Sequence, residues 1–258
     1  MSNKIHPTAI INPDAKISDD VEIGAFSIIG EGVTLEKGVK IRPHVYIEYA
    51  HISENSVVFT GSVIGTEPQD LGYKGEITGV KIGKNCQIRE YVTVNRASKE
   101  GFTKVGDNCL LMTGSHVGHN CVLGNDVILA NQVILGGHVL VEQGAFLGGI
   151  MVVHQNCKIG KMAIISGFSG TRQDVPPFAK ADGRPAVIAG MNTVGMKRKG
   201  LSQDDRDLIK EAYKILFHSG LNTSQALEKI AEELDSSNEH LKHLYEFIKT
   251  SKRGIIKA

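Results

Sequence analysis

A branched aliphatic residue stands at every sixth position from Val105 to Ile165, through Leu111, Val117, Leu123, Leu129, Leu135, Val141, Leu147, Val153 and Ile159. Four residues after each comes a small or slim side chain, among them Cys109, Ser115, Cys121, Val127, Ala145, Ala163 and Ser169. A strict period of six fits neither a helix, at about 3.6 residues per turn, nor an ordinary strand, at about two. It is the signature of a solenoid in which each hexad makes one short strand and one turn. The aliphatic side chain points inward and the slim one fits the corner. Three hexads close a triangular coil, so residues three hexads apart stack at the inter-strand spacing of roughly 4.8 Å.

The same period opens the chain at Ile5, Ile11, Ile17, Ile23, Ile29, Leu35, Ile41 and Ile47. It slips by one near His51 and resumes at Ile52, Val58 and Ile64. From Thr66 to Val80 it fails, and the polar run TEPQDLGYKGEITG predicts a loop extruded over 66–80. A loop on a rigid scaffold is a common place for function. The repeat returns at Ile82, Ile88 and Val94, and a second break, NRASKEGFTK, predicts another loop over 95–104.

After Thr171, Pro176, Pro177 and Pro185 predict that the coils end and an irregular bridge begins. Ser202 is placed to cap a helix through DDRDLIKEAYKILFHS, with Gly220 as its stop. Asn222 or Thr223 is placed to cap a second helix, SQALEKIAEEL, and a third is predicted over about Glu239 to Lys252. The predicted architecture is mainly β: a parallel β-helix over 1–190, followed by a small helical domain over 191–258. The ordinary role of such a tail is to cover an open, unpaired solenoid end.

Composition sets further limits. A net charge of +1 over 258 residues gives no general signature for binding nucleic acid. The 29 glycines, the absence of Trp and an aromatic content of only 5% suit a thin interior with tight corners. No apolar run approaches the roughly 20 residues needed to span a membrane. The N-terminus lacks the apolar core of a signal peptide, so the expected location is cytoplasmic. Cys86, Cys109, Cys121 and Cys157 all occupy the slim inward position, which predicts reduced packing residues rather than disulfides or metal ligands.

His116, His119, His138 and His154 fall within a few coils of one another, and the pattern turns them outward. Stacking by coils brings His119, His138 and His154 to one edge, about 5–10 Å apart. Acid–base chemistry near neutral pH, a metal site and plain surface polarity all remain open for such a column. The chain has neither a Gly-x-Ser-x-Gly elbow nor a P-loop, and its Gly-x-Gly runs are corner residues. A His base can instead activate a substrate hydroxyl or amine for direct attack on a thioester. A corner N–H such as that of Gly137 is then a donor for the developing oxyanion.

The runs GSHVGHNC (114–121), ILGGHV (134–139), VVHQNCKIG (152–160), QDVPPF (173–178) and MNTVGMKRKG (191–200), with PQDLGYKGE in the first loop, resemble the UDP-N-acetylglucosamine O-acyltransferase family of hexapeptide-repeat acyltransferases. The resemblance extends over nearly the whole chain, including the tail ending in RGI. It implies a left-handed parallel β-helix and a homotrimer with active sites between subunits. It also implies transfer of an (R)-3-hydroxyacyl chain from acyl carrier protein to the 3-hydroxyl of UDP-N-acetylglucosamine, the first step of lipid A synthesis. Neither a cofactor nor a metal is implied.

Carried over by position, the resemblance makes His119 the general base and Gly137 the oxyanion donor. Gln69 and Asp70 hold the sugar, and His116 and His138 line the pocket. His154 and Gln155 lie near the nucleotide and its diphosphate, which Asn192 and Arg198 complete. Gly167 falls at the acyl-length ruler, where glycine leaves the groove open and implies a long chain. Lys197, Lys199 and Lys210 are candidates to face the acidic carrier protein.

The sequence departs from the family pattern at Asn120, often Asp; at Asn156, usually Phe; at Asn95, frequently His; and at Val194, often Glu. The last departure keeps N-acylation of a 3-amino UDP-sugar as an alternative. A trimeric γ-class carbonic anhydrase and a non-catalytic scaffold are the readings from other classes. The later N-acyltransferase of the same pathway carries an additional domain before its coils, for which hexads beginning by Ile5 leave no room.

Overall fold

Each hexad becomes a short strand in the computed structural model, which describes residues 3–258. Strands three hexads apart pair in parallel, as in the column His116, Ile134, Val152, Gly170. The result is three sheets of eleven, nine and eight strands. In the order the chain visits them, the first begins at Lys4–Ile5, the second at Ile10–Ile11 and the third at Lys16–Ile17.

The inner wall follows the period residue by residue. Leu111, Leu129, Leu147 and Ile165 stack on the first sheet with no exposure, and Val127, Ala145 and Ala163 fill the corners between them. Each such aliphatic side chain contributes about 1.5–3 kcal/mol by leaving water. All four cysteine thiols are free and buried. The Cys121 thiol points at the Gly136 carbonyl, 3.1 Å away, and burial pushes its pKa up to about 12. These are packing residues.

The corners need residues that tolerate positive φ, and Asn120, His138 and Asn156 take it at 57°, 60° and 63°. Gly118 answers a different need. A Cβ there would lie 2.7 Å from the Leu135 carbonyl oxygen of the next coil.

Both breaks in the period are loops leaving the corner between the second and third sheets, but the strands resume earlier than predicted. Gly79–Ile82 and Phe102–Val105 are four-residue strands paired along their full length, Gly79 with Phe102 through Ile82 with Val105. The loops are thus confined to residues 65–78 and 95–101.

The segment after Thr171 departs from the sequence reading. It is not an irregular bridge. Ala179–Gly183 adds in parallel to Ile164–Ile165 on the first sheet, and Ala186–Met191 returns antiparallel to it. The prolines are compatible with this because Pro176 and Pro177 sit in a corner and Pro185 in the hairpin turn, where no ladder N–H is required.

Four helices follow: α1 (Thr193–Arg198), α2 (Gln203–His218), α3 (Thr223–Glu233) and α4 (Glu239–Lys249). The first was not predicted, and the last ends three residues early. Capping boxes at Ser202–Asp205 and Asn222–Gln225 start α2 and α3. The helices pack on the corner between the third and first sheets. His243 lies 2.8 Å from Glu142, Lys199 pairs with Asp126 at 3.3 Å, and the Tyr213 hydroxyl donates to the Pro177 carbonyl at 2.6 Å. Among the described residues of the first coil, Ile5 and Ile10 are 42% and 64% exposed. Among the described residues, no helix is long and apolar enough to cross a membrane.

Candidate active site

Successive turns of one corner, between the second and third sheets, carry both loops, His119–Asn120, Gly137–His138, His154–Gln155 and Arg172–Gln173. The period places them there because each occupies the same turn of its own coil. The His119 and His138 rings meet edge to face, 5.1 Å between centroids. His116 stands on the adjoining strand and bonds the Thr93 hydroxyl at 2.7 Å.

His119 Nδ1 lies 2.9 Å from Asn120 Oδ1. An amide oxygen only accepts, so the proton sits on Nδ1 and Nε2 keeps its lone pair. Nε2 lies over the Gly137 corner, and a Cβ on Gly137 would come within 2.4 Å of it. The buried Gly137 N–H donates to no acceptor among the described residues. A proton acceptor and an unspent N–H donor therefore lie side by side at one corner.

Burial works against protonation of the two neighbouring histidines. Burial, then repulsion from His119, lowers the pKa of both His116 and His138. Asp70 is held ionised in the first loop. Its carboxylate accepts from the Ser98 hydroxyl at 2.6 Å and the Gly72 N–H at 2.9 Å, and those bonds lower its pKa. Gln69 precedes it in the same loop.

Sequence reasoning missed the residue that holds this loop. Arg96 is 7% exposed. It donates to Glu48 at 2.9 Å, to the Tyr73 hydroxyl at 2.8 Å and to the Gly65 carbonyl at 3.1 Å, and lies over the rings of Tyr49 and Tyr73. Its partners lie as far as 48 residues away in sequence, so no local pattern points to it. Asn95 adds a bond to the Glu67 carbonyl at 3.0 Å, while its buried Oδ1 has no partner among the described residues. Higher on the corner, Arg253 from the tail reaches His154 Nδ1 at 3.2 Å, also unforeseen. There His154, Arg172, Arg184 and Ala186 line a cleft of about 700 Å³.

Three predicted site residues lie elsewhere. Gly167 is in the corner between the first and second sheets, where a Cβ would lie 3.1 Å from the Gly149 carbonyl oxygen. Asn192 caps α1 and Arg198 ends it, beside the corner between the third and first sheets. Asn192 accepts from the Gly195 N–H and donates to the Met162 carbonyl, so its amide is engaged in capping the helix. One chain thus spreads the predicted residues over all three corners.

Residues 174–256 match the family profile described as UDP-N-acetylglucosamine O-acyltransferase, domain 2, and residues 102–137 match the bacterial transferase hexapeptide profile. The acyl-[acyl-carrier-protein]–UDP-N-acetylglucosamine O-acyltransferase of Thermodesulfovibrio yellowstonii is 48% identical over 98% of this chain and 99% of its own. The enzyme of that name from Chlamydia caviae is 46% identical over 97% and 91%. The solved structure of LpxA from Acinetobacter baumannii is 40% identical, with a TM-score of 0.95 over 98% of this chain and 99% of that one. An Arabidopsis UDP-N-acetylglucosamine acyltransferase, 30% identical, matches with a TM-score of 0.85 over 98% and 100%. With identity and backbone agreement of this extent, the chain belongs to the UDP-N-acetylglucosamine O-acyltransferase family.

Proposed function

We propose that the chain transfers an (R)-3-hydroxyacyl group from acyl carrier protein to the 3-hydroxyl of UDP-N-acetylglucosamine, in the cytoplasm, as a homotrimer that needs no cofactor. Residues 1–190 form the transferase domain in this reading and 191–258 the helical domain. The observation that carries it is His119 Nε2 lying beside Gly137, whose N–H has no acceptor among the described residues. The sugar hydroxyl gives its proton to Nε2 as its oxygen attacks the thioester carbonyl. The Gly137 N–H donates to the oxyanion. Collapse breaks the C–S bond, and the imidazolium returns the proton to the leaving thiolate. No acyl-enzyme forms.

Gln69 and Asp70 hold the sugar, and the neutral His116 and His138 line the pocket without opposing a cationic His119. His154 and Gln155 lie toward the nucleotide. The separation of His119, Gly167 and Arg198 onto three corners supports the trimer, since around a threefold axis one corner of each copy faces a different corner of the next. Arg198 then comes from a neighbouring subunit as a charge-assisted phosphate donor, and Asn192 serves it by holding α1. Gly167 limits the acyl chain. Lys199 is engaged with Asp126, which makes Lys197 and Lys210 the better candidates for the carrier protein.

Mass spectrometry of the product from hydroxyacyl-carrier protein tests this. UDP-N-acetylglucosamine and its 3-amino analogue are offered together, over several chain lengths. An ester on the former is expected. An amide alone would shift the acceptor to the amino sugar, through the Val194 side of the pocket, and no product would overturn the reading. Sedimentation as a monomer at micromolar concentration would overturn the trimer. Co-assembled His119→Ala and Arg198→Ala subunits should recover activity that neither variant shows alone at low sugar nucleotide.

A further inference from the structure

A hydrogen-bonded chain runs from Asp70 through Ser98 and Asn120 to the proposed base. Ser98 is 3% exposed. Its N–H donates to Asn120 Oδ1 at 2.8 Å and its hydroxyl to Asp70 Oδ2 at 2.6 Å. Asn120 Oδ1 also accepts from His119 Nδ1, and Asn120 Nδ2 donates to the Glu100 carbonyl at 3.3 Å.

A side-chain amide can be turned end for end. Turned here, Nδ2 would face two donors, the Ser98 N–H and His119 Nδ1–H, and Oδ1 would face the Glu100 carbonyl. The Ser98 N–H and the Glu100 carbonyl therefore select the orientation that keeps the His119 proton on Nδ1. An amide oxygen, however, stabilises the imidazolium that proton transfer creates less than a carboxylate does. A nearby carboxylate supplies the remainder. Asp70, in the first loop, interacts electrostatically with His119, and the Ser98 hydroxyl fixes it. The other titratable groups facing these two are His116, His138, Lys99 and Glu76, and the one anion among them, Glu76, interacts with Asp70 and not with His119.

We infer that Ser98 is a positioning residue that divides between two side chains the work of one carboxylate beside the base. Through its N–H it makes Asn120 set the tautomer of His119, and through its hydroxyl it holds Asp70 where its charge stabilises the imidazolium. The inference rests on the acyl-transfer reading. It also ties the loop that grips the acceptor to the group that activates it.

A kinetic double-mutant cycle on the full-length enzyme tests this, read only on transfer that His119→Ala abolishes. If wild type makes no product, or His119→Ala loses nothing, the acyl-transfer reading fails first, and that failure is visible on its own. Ser98→Ala keeps the backbone N–H and removes only the hold on Asp70. It should lower kcat about ten-fold, the scale of one hydrogen bond to a charged group. In the Asn120→Asp background, which brings a carboxylate to the base, the same change should cost less than about two-fold. The acid limb of kcat should move to lower pH in Ser98→Ala, because a lost anion favours neutral imidazole, and to higher pH in Asn120→Asp. Ser98→Thr, which keeps the hydroxyl, should recover most of the loss. Equal losses in both backgrounds, or an unmoved acid limb, would overturn the inference. Should Ser98→Ala melt early by circular dichroism, Asp70→Asn at saturating sugar nucleotide replaces it in the same cycle, with the same expected inequality.

Discussion

The inner wall of the coils and the corner between the second and third sheets are made from the same hexads and obey opposite rules. On the wall every position is specified by its neighbours one coil above and below. Leu111, Leu129 and Leu147 differ in nothing but height. On the corner no two turns are alike: one throws out residues 65–78, the next 95–101, and those above carry His119 with Asn120 and Gly137 with His138. The wall is where a change costs stability and leaves chemistry alone. The corner is where a change costs chemistry and leaves the fold alone, because its side chains project from a frame that the wall already fixes.

The sharpest break between the two regions comes from removing the base. His119→Ala should lower kcat by about 10²–10⁴, the usual range for a general base, while the circular dichroism spectrum and melting temperature stay near wild type. The half-exposed imidazole contributes little to packing. Turnover near wild type would remove His119 from the mechanism, and a collapsed melting curve would show that corner and wall are not separable.

The converse change is on the wall. Leu129→Ala should destabilise the protein by about 2–5 kcal/mol, measured by denaturant unfolding, because a side chain with no exposure leaves a cavity between two identical neighbours. Activity per folded molecule should stay close to wild type. A fall in kcat matching that of His119→Ala would mean that the wall sets the site geometry more finely than its uniformity suggests.

Gly137 lies on the boundary between the two, and it shows how far the sequence can be read. Gly137→Ala would drive a methyl to within 2.4 Å of His119 Nε2. The imidazole must move, and a displacement near 1 Å costs on the order of 100-fold in rate. The expected result is a fall in kcat with unchanged stability, and a normal rate would show that the corner has slack. The spacing of His119 and Gly137 was readable because both follow the period. The same holds for the wall, the four buried cysteines and the meeting of His119 and His138 at one edge, while the caps at Ser202 and at Asn222 or Thr223 were readable from capping chemistry. Arg96, Ser98 and Arg253 were not readable. Each acts through partners between 22 and 99 residues distant, where no pattern connects them. The hairpin after Pro177 was misread for a related reason. Proline was taken as the end of a sheet, while the register placed it at a corner that tolerates it.

The smallest effect tests whether wall and corner are linked by protonation. His116 projects from a wall strand, yet its ring belongs to the corner, and burial followed by repulsion from His119 lowers its pKa from the usual 6.5. A base whose folded pKa is depressed binds fewer protons folded than unfolded, so stability rises with pH between the two values. The contribution is therefore complete above 6.5 and is lost as the pH falls below it. Melting temperatures measured from pH 8 down to pH 5 should fall by a few degrees more in wild type than in His116→Asn, which carries no titrating ring. Asparagine keeps a polar partner for the Thr93 hydroxyl, so the two proteins should melt nearly together at the alkaline end. Equal slopes would mean that the His116 ring takes up its proton in the folded coil without opposition. The corner would then be wetter, and more tolerant of charge beside His119, than the place of His116 between Thr93 and Ile134 implies.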